Sequence, residues 1–183
     1  MRQLIISFLF SVFFVTYSKA QVEPPVRIPG QVISEYGGTF AVQNMDFPAD
    51  PERNYWVVFE VAESPEDKAR LNARIVTLAR FLNMHVAAGV PRSNLKVAAV
   101  LHAGAAKDVL KNAAYHQRYG VDNPNDGLLN ALEEAGADVY ICGQSIAARG
   151  FGWDDIHPGV KIALSAMTVL IELQDEGYRM IKF

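Results

Sequence analysis

From Tyr55 onward the chain alternates short, nearly uninterrupted apolar runs with amphipathic stretches, and this alternation constrains the fold more than any other feature. YWVVFEV, from Tyr55 to Val61, is dense in aromatic and β-branched residues, as expected of a strand covered on both faces. Ser64-Pro65-Glu66-Asp67 then offers an N-cap, a proline for the first helical position and acids for the first turn. Leu71, Ile75, Leu78, Leu82 and Val86 recur at helical spacing, Arg70, Arg74 and Thr77 take another face, and Gly89-Val90-Pro91 ends the pattern. This predicts one amphipathic crossover helix after the first strand.

The same unit returns in kind, though not in sequence. LKVAAVLH, from Leu95 to His102, reads as a second strand, followed by a short helix from about Ala105 to Asn112. DGLLNALEEAG reads as a helix stopped by Gly136, leading into the strand DVYIC. VKIAL is the next strand, SAMTVLIELQDEG a helix from about Ser165 with Gly177 as its cap, and YRMIKF a closing strand. Five strands alternating with helices predict an α/β fold with a mostly parallel sheet sandwiched between helices, because parallel neighbours need crossovers and those are right-handed.

The segments before Tyr55 differ in kind. Arg2 followed by the apolar run LIISFLFSVFFV and the small residues of Ser18-Lys19-Ala20 reads as a signal peptide over residues 1–20, with cleavage expected after Ala20. The run is too short for a comfortable membrane span, and no later segment is long and uncharged enough to be one. The expectation is a soluble, exported chain, periplasmic or secreted, and no cysteine at the cleavage site invites a lipid anchor. Residues 21–54, rich in Pro and Gly, form an N-terminal arm for which two readings stand. It is a hairpin-like arm, with Val32-Ile33 and Thr39 to Val42 as short strands, or a flexible leader. The domain proper then covers residues 55–183.

Charge narrows the partners. The formal net charge is -3, and removal of Arg2 and Lys19 with the signal makes the remainder more acidic, which argues against nucleic-acid or anionic-membrane binding. Cofactor signals are missing too. His85, His116 and His157 have no metal-ligand spacing, and no GxGxxG, Walker or GxSxG pattern occurs, so neither cofactor nor metal is expected. WDDIHPG, from Trp153 to Gly159, reads as a solvated loop or as part of the rim.

Chemistry therefore converges on the single cysteine, Cys142, in VYICGQSIAARG. An exported chain with one cysteine forms no internal disulfide, so the thiol is intermolecular, reactive or buried. In a parallel sheet the carboxyl ends of the strands share one edge, where ligands usually bind. His102, Cys142 and Ser165 all stand at strand ends. A helix opening at Gly143 would aim free N–H groups at the sulfur and favour its thiolate. The plainer alternatives are a buried core cysteine, a structural hydrogen bond for His102, a surface salt bridge for Arg149 and a helix N-cap for Ser165.

At these residues the chain resembles the DsrE family of sulfur-relay proteins, with its DsrE, DsrF, TusD and YchN-like members. The stretches that carry the resemblance are GVPRSNLKVAAVLHAGA, NPNDGLLNALEEAGADVYICGQS, IAARG and PGVKIALSAMTVLIELQDEGYRMIKF, the last most like an exported branch of the family. It covers Tyr55 to Phe183. The resemblance implies a three-layer α/β/α fold and a homo-oligomer, commonly a trimer or hexamer. It also implies that Cys142 stands at the sulfur-carrying position, followed by a similar run ending in Arg149-Gly150, and the strand-end His102 looks like the family pattern. With Cys142 as acceptor, His102 is expected as a second catalytic residue and Arg149 as a cation that binds the anionic substrate. Relay members take sulfane sulfur as a persulfide from a donor protein and pass it to an acceptor. They work in the cytoplasm, whereas this chain carries an export signal and an added arm. A non-catalytic binding or assembly subunit of the periplasm is therefore the alternative, and a redox-responsive thiol a third.

Overall fold

A computed structural model describes residues 25–182; the expected signal peptide, the first residues of the arm and Phe183 lie outside the described residues. Five strands form one sheet: β1 (Tyr55–Val61), β2 (Leu95–Leu101), β3 (Asp138–Cys142), β4 (Val160–Ala163) and β5 (Arg179–Lys182). Every pairing is parallel and the spatial order is β4-β3-β2-β1-β5. The helices are α1 (Ala73–Ala87), α2 (Asn112–Tyr119), α3 (Asp126–Glu134), α4 (Gly143–Ala148) and α5 (Ala166–Asp175).

The order of the strands explains where the helices go. From β1 to β4 the chain steps across the sheet in one direction, and from β4 to β5 it returns to the opposite edge. With crossover hand fixed, a reversal of direction moves the connecting helix to the other face. Accordingly α1 and α3 pack on one face, where Ile75, Leu78, Leu82, Leu128 and Leu132 meet Val57, Phe59, Val97, Ala99, Val139 and Ile141. Among the described residues helix α5 alone covers the other, where Ala166, Val169 and Leu173 meet Val58, Ala98, Val100 and Cys142. The architecture is the three-layer α/β/α sandwich expected, with the sheet wholly parallel.

Two local expectations are corrected. The helix after β1 begins at Ala73, not near Ser64, because the polar groups that could cap an earlier start are used elsewhere. The Ser64 hydroxyl donates to Asp108 Oδ1 (2.8 Å). Asn72 is the N-cap: its side-chain oxygen accepts from the Arg74 N–H (3.0 Å), and its amide donates to Glu63 O (2.9 Å) and Asp108 Oδ2 (2.7 Å). The segment after β2 is a 3₁₀ turn over Ala103–Val109 and a separate helix, α2, rather than one helix from Ala105 to Asn112. Leu110 and Lys111 are extended, the first bridged to Ile156 and the second donating its N–H to Asp155 O (2.8 Å), so the chain cannot coil through them.

The arm forms no strands among the described residues, only an isolated bridge between Ile28 and Thr39. It is nonetheless fixed. Asn83, buried in α1, accepts from the N–H groups of Val32 (3.1 Å) and Ile33 (3.0 Å) and donates to the carbonyls of Ile33 (2.9 Å), Tyr36 (3.0 Å) and Gly37 (3.3 Å). One side chain thus replaces the backbone pairing that a hairpin would have supplied, and Ile33 is seated in the core beside it. Replacing Asn83 by Ala leaves several of these groups buried and unpaired, which should cost roughly 2–3 kcal/mol. The expected outcome is a lower urea midpoint and faster tryptic cleavage at Arg27, with the sheet still protected; equal cleavage of the two proteins would mean the clip does not hold the arm.

Candidate functional site

Cys142 is both the last residue of β3 and the N-cap of α4. Its register partner is Ala163, the last residue of β4. The chain leaves these two adjacent strand ends in opposite directions: α4 inserts Ile146 into the larger core, while α5 begins at Ala166 over the other face. Neighbouring strands whose connections part in this way open a crevice at the carboxyl edge, the usual place for a ligand in an open parallel sheet. Two helix starts, at Gly143 and Ala166, flank the cysteine at this edge. Gly143 permits the approach, since a Cβ there would lie 2.7 Å from Ala163 O.

Cys142 is 6% exposed. Burial is the largest single influence on its ionisation and pushes the thiol pKa up. Opposing it are hydrogen bonds from the Ser145 hydroxyl and from the backbone N–H groups of Ala166, Ser145 and Gln144, and together they bring the thiol below its ordinary value. Ser145 is oriented for this task. Its oxygen accepts the Ala103 N–H (3.1 Å), so its single hydrogen is free to point at the sulfur. Ala103 makes that bond from a left-handed conformation (φ 45°), uncommon for a residue with a Cβ.

His102 follows Leu101, whose partner on β3 is Ile141, so it stands one step further on, beside Cys142 and on the same face of the sheet. Adjacent strands are about 4.8 Å apart. Its Nε2 lies 2.8 Å from Glu60 Oε1, and the other carboxylate oxygen of Glu60 lies 2.8 Å from Lys182 Nζ. The Lys182 ammonium is the strongest influence on Glu60 and, with His102, outweighs burial to hold its carboxyl below the usual carboxylate value. A row Lys182, Glu60, His102, Cys142 therefore crosses four strands of one face. Arg149 is not brought to the sulfur: it is the exposed C-cap of α4, one helix length, roughly 10 Å, from Cys142. Ser165 is the N-cap of α5, accepting the Thr168 N–H (3.1 Å).

Other chemistry-bearing residues have structural roles. His85 Nδ1 donates to Phe81 O (2.8 Å), and His157 Nδ1 accepts the Gly159 N–H (3.2 Å). In the WDDIHPG turn the Asp155 carboxylate accepts the Gly152 N–H (3.2 Å). Among the described residues no group of His, Cys, Asp and Glu is arranged to hold a metal ion, and no helix is long and apolar enough to cross a membrane. Sequence inspection missed Ser145, Glu60 and Lys182. Ser145 could be found as a hydroxyl at the third helical position after a cysteine N-cap, and Glu60 as the one charge in YWVVFEV.

Comparison with known proteins agrees with this architecture. The sequence model described as the DsrE/DsrF-like family matches residues 54–183. Among solved structures, the chain is similar to a protein of unknown function, MTH1491, from Methanobacterium thermoautotrophicum, with a TM-score of 0.53 and 21% identity over 71% of this chain and 100% of that one. It is also similar to the YchN protein of E. coli, with a TM-score of 0.52 and 19% identity over 70% of this chain and 99% of the other. At these identities the likeness is one of fold. No curated protein matches.

The site makes a prediction of its own. Ser145→Ala removes a donor that favours the thiolate, so the Cys142 pKa should rise and the thiolate fraction at neutral pH should fall. Alkylation by iodoacetamide, followed by mass spectrometry between about pH 6 and 10, should slow at neutral pH and reach half its maximum at higher pH than in the wild type. Superimposable profiles would remove Ser145 from the site.

Proposed function

The chain belongs to the DsrE/DsrF-like family, and from that membership and the setting of Cys142 we propose that it is a persulfide carrier or sulfurtransferase. The observation that carries the proposal is the place of Cys142, a little-exposed residue that ends β3, caps α4 and lies by the start of α5, where the Ser145 hydroxyl and nearby backbone N–H groups hold its thiol below the ordinary value. A buried structural cysteine needs no such donors. A nucleophilic one does, because only the thiolate attacks.

The chemistry needs no cofactor. The Cys142 thiolate attacks the outer sulfur of a persulfide or polysulfide; the new S–S bond forms as the donor's S–S bond breaks, and the donor leaves as a thiolate. An acceptor thiolate then attacks the terminal sulfur held on Cys142 and regenerates the starting thiolate. The N–H groups of α4 and α5 lie where negative charge resides before sulfur is taken up and again once it has been delivered. Arg149, at the exposed far end of α4, is suited to meet an anionic remainder of the donor rather than the reacting sulfur. We further propose that transfer takes place outside the cytoplasm, in the periplasm or in secretion, consistent with the signal-like sequence of residues 1–20. This assignment places the chain in the exported branch of its family.

A second reading, a non-catalytic oligomeric binding or assembly subunit, has its own observation. Leu164, Met167 and Ile171 are 72%, 71% and 59% exposed on and beside α5, the helix that covers the thin face among the described residues. Such a row suits burial against another copy, as in a trimer or hexamer. The two readings are separated by intact-protein mass spectrometry before and after polysulfide, alongside Cys142→Ser. A carrier gains sulfur that reductant removes, and the variant gains none. A well-folded wild-type protein that gains nothing is a binding subunit instead.

A further inference from the structure

The row beside Cys142 contains a group with a free lone pair. His102 Nε2 faces a carboxylate, an acceptor only, so the ring proton of the neutral imidazole resides on Nε2 and the lone pair on Nδ1. Nδ1 has no protein partner among the described residues. Glu60 is held in turn by Lys182, so each carboxylate oxygen serves one donor. Glu60 is also the only charged residue of the otherwise apolar strand β1, half-buried at the edge where the strand ends meet. It stands directly opposite Lys182 in the register of β1 and β5, so the same carboxylate joins that ammonium to His102.

We propose that Glu60 is a positioning residue of the sulfur site, fixing His102 in the Nε2–H tautomer so that Nδ1 relays a proton during persulfide transfer to Cys142. The inference rests on the carrier reading and adds to it the protonation state of the substrate, a hydropersulfide R–S–SH. The Cys142 thiolate attacks the outer sulfur and R–S⁻ departs, leaving the proton on the transferred sulfur. His102 Nδ1 takes that proton and gives it to the departing thiolate. One S–S bond is made and one broken, and the products are the Cys142 perthiolate and R–SH. The thiolate charge consumed reappears on the outer sulfur of the perthiolate, one S–S bond beyond the atom that first held it.

The arrangement of donors gives a test that simple loss of structure would not mimic. In Glu60→Gln one end of the side chain can only accept and the other can only donate. Lys182, a donor only, takes the amide oxygen, which turns the amide NH₂ toward His102 Nε2 and demands a lone pair there. The tautomer inverts and Nδ1 becomes an N–H. Adding Lys182→Met frees the amide to turn over, present its oxygen to Nε2 and restore the original tautomer.

Three readouts on the full chain decide the matter: ¹⁵N shifts of the His102 ring, the rate of sulfur uptake from glutathione persulfide by mass spectrometry, and the rate of Cys142 alkylation by iodoacetamide. The expected result is an Nε2–H ring in the wild type and an inverted ring in Glu60→Gln, with sulfur uptake slowed at least about tenfold. Alkylation, which needs no proton relay, should stay unchanged, and Glu60→Gln/Lys182→Met should recover both tautomer and uptake. Uptake indifferent to an inverted ring, an Nδ1–H ring in the wild type, or alkylation falling in step with uptake would each overturn the relay. A wild-type protein that takes up no sulfur at all overturns the carrier reading itself, and the relay with it.

Discussion

Because β1 to β5 all run the same way, groups far apart in the sequence arrive together wherever strands end. Glu60 stands next to last in β1, His102 follows β2, Cys142 closes β3 and Lys182 closes β5. None of them is placed by a loop of special sequence; each is placed by the length of its strand and the register of its neighbour. The return from β4 to β5 matters as much as the parallel pairing, since it sends α5 to the opposite face from α1 and α3 and parts the chain at the ends of β3 and β4. Without that parting, the starts of α4 and α5 would not both lie against one sulfur.

A buried ionic network steadies the rim from beneath. Asp108, fully buried, accepts from Lys107 Nζ (2.5 Å), from the Ser64 hydroxyl and from the Asn72 amide. Tyr115 receives the Lys107 ammonium (3.1 Å) and donates to Lys68 O (2.9 Å). Burial works against the charge on Lys107, yet Asp108 and Tyr115 outweigh it and keep the ammonium's pKa above its ordinary value. A buried pair of this kind adds little to stability over an apolar substitute, but losing one partner strands the other and costs about 3–5 kcal/mol. Its evident use is geometric: it ties the β1–α1 connection to the 3₁₀ turn that begins at Ala103, the residue whose N–H orients Ser145.

How much of this was legible in the sequence depended on whether the signal was local. The five strands were legible because each is an apolar run bounded by turn residues, and the larger helices because their apolar positions repeat at helical spacing. The start of α1 was not, since Ser64-Pro65-Glu66-Asp67 has every local mark of a helix entrance while Asp108, distant in sequence, claims the Ser64 hydroxyl. Helix α2 was missed because NAAYHQRY is polar and buries only Ala114 and Tyr115. Cys142 and His102 could be seen at strand ends. Ser145 and Glu60 left only faint local marks, a hydroxyl two residues after Gly143 begins a helix and a lone charge in an apolar strand. Lys182 left none, because the roles of Glu60 and Lys182 lie in which strand stands beside which and at what offset. The hold of Asn83 on the arm escaped for the same reason.

The two faces of the sheet are unequal, and that inequality bears on the thiol. The face under α1 and α3 carries the larger core, in which a cysteine would lose solvent on every side and its charged form would be penalised without relief. Cys142 belongs instead to the smaller core, roofed by one helix of ten residues whose first N–H group is itself a donor to the sulfur. The helix that covers the thiol thus also lowers its pKa. Extending that cover would raise the desolvation penalty, already the largest influence on the group, without adding another helix start to oppose it. Removing it would expose the sulfur but take away the Ala166 N–H. A thin second layer, ending where the strand ends part, is the arrangement in which a reactive thiolate can be both covered and favoured.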